Sequence, residues 1–88
     1  MSEKKQSEKL NEYTCKDYYV TAARWSVPSF GDDIDTYEIG IRSKAMNGDF
    51  TLLQSTKFNH QSVQEMAEIV CLALDHGYSP KWCSEMFS

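Results

Sequence analysis

Hydrophobic and polar positions divide the chain into stretches with different periods. Tyr18-Tyr19-Val20-Thr21-Ala22-Ala23-Arg24-Trp25-Ser26-Val27 is rich in aromatic and β-branched residues and reads as a strand. Pro28 cannot donate to a sheet ladder and is expected to end it. Ser29 to Asp33 then reads as a loop. Ile34 to Ser43 reads as a second strand, with Tyr37, Ile39 and Ile41 alternating onto one face. Asn47-Gly48 suits a two-residue type I′ turn, in which both central residues take positive φ. Phe50 to Phe58 reads as a third strand.

The turn implies a register. With Asn47-Gly48 as the loop, Ile41 lies opposite Gln54, Ile39 opposite Thr56 and Tyr37 opposite Phe58. Glu38 then meets Lys57 on the other face, a favourable opposite-charge pair. For the first two strands, a register that sets Trp25 against Tyr37 puts Trp25 in the core and Arg24 against Glu38. The outer face then carries Tyr18, Val20, Ala22, Gly40 and Leu53 around Arg42.

After Phe58 the period becomes helical. Val63, Met66, Ala67, Val70, Ala73 and Leu74 recur at i, i+3, i+4 and i+7. Asn59 and Ser62 compete as N-cap: the first offers a Phe58–Val63 staple, the second a capping box with Glu65. Gly77 is a good residue to stop the helix. Ser79-Pro80 resembles an N-cap followed by Pro at the first helical position, opening a short helix over Lys81 to Phe87. Residues 1–16 are polar with alternating charge and read as a flexible tail or a frayed helix, in which Leu10 and Tyr13 could dock one turn. The expected fold is α+β: a three-stranded antiparallel meander, one long helix on one face, and a short terminal helix, with residues 17–88 as one domain.

Composition narrows the function classes. The chain has 88 residues, room for one small domain. Its 41% hydrophobic and 25% charged residues are ordinary for a globular protein. The net charge is −4, and residues 18–88 hold the whole surplus without a Lys/Arg cluster. That argues against nucleic-acid binding, which needs a basic stripe to displace phosphate counterions. The apolar runs fall far short of the roughly 20 residues a membrane span requires. Cys15, Cys71 and Cys83 are odd in number and widely spaced, which fits a reducing compartment better than a disulfide framework. No signal peptide is visible, so the expected location is the cytoplasm.

Candidate chemistry is sparse. Asp32, Asp33 and Asp35 could offer oxygen ligands to a hard cation, but their spacing does not match an EF-hand loop. The cysteines with His60 and His76 lack the close pairs of zinc sites. No nucleophile elbow, Walker loop or dinucleotide fingerprint occurs. The expectation is therefore a protein without cofactor, metal or catalysis of its own. It would be a small acidic cytosolic module that inhibits or masks a surface of another protein. Antitoxins, immunity proteins and phage-encoded anti-defence inhibitors are analogies of size and composition only. The partner surface is expected on Tyr18, Val20, Arg42 and Leu53, with Asp32, Asp33 and Asp35 as a charged rim. Ile69, Leu72 and His76 form a second stripe on the long helix. The alternatives are a homodimeric structural or small-ligand-binding protein and, last, a metal-dependent enzyme.

Overall fold

The computed structural model describes residues 6–29, 32–46 and 48–87, with side chains at 8–26, 35–46 and 48–87. It is an α+β fold in which β1 (Gln6–Thr14), β2 (Tyr18–Ser29), β3 (Asp32–Ser43) and β4 (Asp49–Ser55) precede α1 (His60–Asp75) and α2 (Pro80–Met86). The strands form one antiparallel sheet in the order β1-β2-β3-β4. The expected meander thus gains a fourth strand. Residues 6–14, expected as tail or frayed helix, pair with β2. The pairing contains a bulge: the register shifts between Lys9 and Asn11, leaving Leu10 as the extra residue. A bulge adds one residue to a period of two. Leu10 and Tyr13, three apart, can therefore both pack against the core from one strand.

Both expected registers are corrected, the β2–β3 pairing by one residue and the β3–β4 pairing by three to four. β2 pairs β3 with Val20 opposite Ile41 and Ala22 opposite Ile39, one residue away from the expected alignment. A one-residue slip exchanges the two faces of a strand. Val20 and Ala22 therefore turn inward, and Trp25 lies opposite Thr36 on the other face. β2 also runs through Pro28 to Ser29, and β3 begins at Asp32, so the expected loop there is short. The β3–β4 connection is five residues, 44–48, instead of two. Asn47 lies outside the described residues. Gly48 has φ +123°, which an L side chain rarely adopts. β4 then pairs as Ile41 with Phe50 and Gly40 with Thr51, and after a second bulge as Ile39 with Leu53. That bulge, at Leu52, turns Leu53 inward.

The core lies between one sheet face and the helices. Val20, Ala22, Ile39, Ile41 and Leu53 meet Val63, Ala67, Val70, Cys71 and Leu74 of α1, with Cys83 of α2 and Cys15 of the β1–β2 turn. Small residues, Ala22 on the sheet and Ala67 on the helix, are both fully buried, which lets α1 sit close to β2.

The helix ends are built locally. Asn59 caps α1: its side chain accepts from the Ser62 amide at 2.7 Å, and the Ser62 hydroxyl accepts from the Asn59 amide at 2.8 Å. Of the two competing starts, Asn59 is the cap, and Ser62 closes the box from the third helical position. Gly77, at φ +98°, ends the helix. Ser79 caps α2, with Pro80 in its first turn. Among the described residues, no helix is long and apolar enough to cross a membrane.

Candidate functional site: the open face of the sheet

Helices cover one face of the sheet, and strand alternation decides which side chains stand on the other. Tyr19, Thr21, Ala23 and Trp25 of β2 share it with Thr36, Glu38, Gly40 and Arg42 of β3. β1 adds Lys9 and Glu12, and β4 adds Asp49 and Thr51. Short residues form the floor and long charged ones the walls. The result is a shallow concavity of about 430 Å³, lined among others by Lys9, Glu12, Ala23, Glu38, Arg42 and Phe50.

Gly40 lies in the middle of its floor, between Thr21 and Thr51, and Arg42 stands at the end next to the β3–β4 connection. The side chain is 50% exposed, and its guanidinium carbon lies 4.6 Å from the centroid of the Tyr19 ring. Lys44 Nζ approaches the same ring at 5.3 Å. Carboxylates on the two edge strands flank the guanidinium: Glu12 at 4.0 Å and Asp49 at 4.0 Å. A cation over an exposed ring is worth about 0.5–1 kcal/mol, and exposed ion pairs often less. These contacts orient Arg42 without consuming its five donors. Thr51 Oγ1 donates to Glu38 Oε2 at 3.3 Å, which ties β4 to β3 on this face.

The expected interface residues are divided by the fold. Arg42 is on the open face as expected, but its aromatic neighbour is Tyr19. Val20 and Leu53, at 0% and 7% exposure, belong to the core and are withdrawn from the open face. Tyr18 is half-buried against that core, on the helix side of the sheet. Asp35 is also on the helix side. It accepts from Ser26 Oγ at 2.6 Å and pairs with Arg24 Nη1 at 3.5 Å. Arg24 Nη2 reaches Glu8 Oε1 at 3.1 Å, so a Glu8–Arg24–Asp35 chain replaces the expected Arg24–Glu38–Lys57 ladder. The backbones of Asp32 and Asp33 open β3, and their side chains lie outside the described residues. Ile69, Leu72 and His76 all remain exposed, since α2 does not fold over them.

Sequence reasoning missed Tyr19 and Glu12; it set Glu38 and Thr51 on this face without counting them in the site. One signal for the first was present. In Tyr18–Ala23, the even positions Val20 and Ala22 are apolar, whereas the odd ones include Thr21. Choosing the less polar side as core gives the observed register.

The cysteines and histidines are occupied structurally. Cys15, Cys71 and Cys83 are free thiols in the buried layer. Burial first, then a hydrogen bond with Cys71 and its charge, push the Cys15 thiol above its ordinary range, with Asp75 acting in the same direction. Burial also raises Cys83. Thiols held protonated are poor nucleophiles and metal ligands. His60 Nδ1 is hydrogen-bonded to Tyr37 OH at 3.2 Å, and His76 Nδ1 donates to the Leu72 carbonyl at 2.8 Å. The two rings sit at opposite ends of α1. Among the described residues, no group of three or more His, Cys, Asp or Glu is placed to hold a metal ion.

The raised thiols make stability fall in alkali. In the unfolded chain a thiol ionises at about 8.5. The folded chain keeps the Cys15 and Cys83 protons to higher pH, so it binds more protons through that window. Their contribution is complete below about pH 8.5 and is lost as the pH rises above it, at up to about 1.4 kcal/mol per pH unit for each thiol. Urea unfolding at pH 7.5 and pH 10 is expected to show a steeper loss for the wild type than for Cys15→Ala. Equal losses would refute the assignment.

Compared with known protein families, curated proteins and solved structures, the chain shows no match.

Proposed function

We propose that this protein is a binding module that masks a surface of another protein with the open face of its sheet. The observation that carries the reading is Arg42, half-exposed and set over the Tyr19 ring at the turn end of a face that no other part of the described chain covers. Arginine and tyrosine are over-represented among the residues that dominate interface energies. The surrounding Lys9, Glu12, Glu38 and Asp49 form the polar rim that such an anchor requires. The module acts by occlusion and without chemistry of its own. Its three buried thiols suit the reducing cytoplasm as its place of action.

The test compares tagged wild type with Arg42→Glu and Tyr19→Ala in capture from the host lysate. Both positions lie outside the core, so both variants should keep the wild-type circular dichroism spectrum. A stoichiometric protein retained by the wild type, and reduced at least tenfold by Arg42→Glu, is the expected result. A partner captured equally by all three proteins would remove the sheet face from the reading. A wild type that retains no protein at all would remove masking itself.

A further inference from the structure

The helical layer, on the opposite side of the sheet, carries a second surface of different character. On α1 the core direction is set by Val63, Ala67, Val70, Cys71 and Leu74. Ile69 projects about 120° and Leu72 about 180° from Val63, toward solvent. Both are large and apolar, and they are 45% and 55% exposed. Tyr78, stacked on Trp82 with ring centroids 4.1 Å apart, and Met86 of α2 are exposed as well. Trp82 and Met86 are spaced by four on the short helix, and Tyr78, ahead of its Ser79 cap, joins them through the Trp82 stack.

Charge distinguishes this surface from an accidental apolar patch. Residues 60–87 carry Glu65, Glu68, Asp75 and Glu85 against Lys81 alone, so a layer of about a third of the chain holds −3 of the net −4. The acids are not scattered. Glu65 lies one turn before Ile69, Glu68 one turn before Leu72, and Asp75 three residues after Leu72. Residues at these spacings are neighbours on a helix surface. Glu65, Glu68 and Asp75 are all exposed. The outer ridge of α1 is thus an apolar pair with Glu65 between its two members and Glu68 and Asp75 along one flank, where Asp75 also accepts from the Lys16 amide at 2.6 Å.

We infer that this ridge docks a basic amphipathic helix of a partner protein. Such a helix presents an apolar stripe at i, i+3, i+4 and i+7, bordered by Lys and Arg. The stripe would cover Ile69 and Leu72, one basic border would meet Glu68 and Asp75, and a lysine or arginine beside the stripe would reach Glu65. An acidic or neutral helix could cover the same apolar pair, but it would leave the carboxylates facing like charge or nothing. The ridge and the Arg42 face lie on opposite sides of the sheet, so the two can be occupied together. The inference is independent of the sheet-face reading.

The full-length protein is titrated with a synthetic 18-residue amphipathic helix of leucine and lysine, and with the same peptide carrying glutamate for lysine. Binding is read by fluorescence anisotropy of the labelled peptide at low and at 300 mM salt. The lysine peptide is expected to bind, more weakly at the higher salt, and the glutamate peptide to bind at least a hundredfold more weakly. Ile69→Ser with Leu72→Ser should weaken the lysine peptide at least tenfold. Glu65→Lys with Glu68→Lys should do the same, from exposed positions that no core contact depends on. The inference fails if the lysine peptide does not bind, if the glutamate peptide binds equally, or if neither double variant changes the affinity. Because the probe is a defined peptide, failure here is separable from failure of lysate capture through Arg42.

Discussion

Leu53→Asp unfolds this protein. Leu53 is 7% exposed, lies opposite Ile39 and belongs to the core beneath α1. The substitution removes a buried leucine, worth about 2 kcal/mol. It also places a carboxyl group in the apolar core layer, which costs several more kcal/mol whether the group stays charged or takes up a proton. Together these reach about 5 kcal/mol, the size of the whole stability of many small domains. Val20→Asp, at 0% exposure, is expected to do the same. Leu53→Met preserves volume and apolarity and should cost less than about 1.5 kcal/mol. Arg42→Glu alters exposed ion pairs and the contact with the Tyr19 ring, and should stay within about 2 kcal/mol of the wild type. Circular dichroism and urea unfolding of the four variants check the set. A cooperatively folded Leu53→Asp with wild-type stability would mean that the two sheet faces are exchanged.

A variant lacking residues 1–14 is expected to lose cooperative folding or to aggregate. Removing β1 takes away Leu10 and Tyr13, which pack against the core. It also removes the side-chain contacts that join β1 to α1: Asn11 Nδ2 to Gln64 Oε1 at 3.2 Å, and Tyr13 OH to the Gln64 carbonyl at 3.3 Å. β2 would then become an edge strand, with unpaired backbone groups beside newly exposed Val20 and Ala22. Such an edge is a template for association. β1 itself is a safer edge, because its exposed residues include Glu8, Lys9 and Glu12. The expected loss exceeds about 4 kcal/mol, from cavity and exposure effects combined. Soluble yield, thermal unfolding and light scattering are the readouts. Unchanged stability would show that these residues behave as a tail.

The site was less legible than the fold class. Arg42 could be placed on an open sheet face from the sequence, because a sheet packed by helices on one side leaves the other uncovered. Its neighbours could not. Tyr18 and Tyr19 are chemically equivalent as anchors, and the choice between them depends on one residue of register. The same slip decided Val20, and the bulge at Leu52 decided Leu53. The exposed stripe Ile69–Leu72 was legible because helical phase is set within a single segment and needs no pairing partner.

What the sequence determined by itself is everything governed by neighbours along the chain. The span of α1 follows from its apolar period and the Asn59–Ser62 capping box, and its end from Gly77. The start of α2 follows from Ser79 and Pro80. Each depends on hydrogen bonds or dihedral preferences within four residues. Tertiary structure decided what depends on distant partners. β1 is a strand because β2 offers it a ladder and α1 offers Gln64, and nothing within its own nine residues requires that. The two bulges and the long β3–β4 connection set which side chains face α1. They are selected by the burial of Val20, Ala22, Ile39, Ile41 and Leu53 together, because a local turn preference is worth less than closing a core of that size.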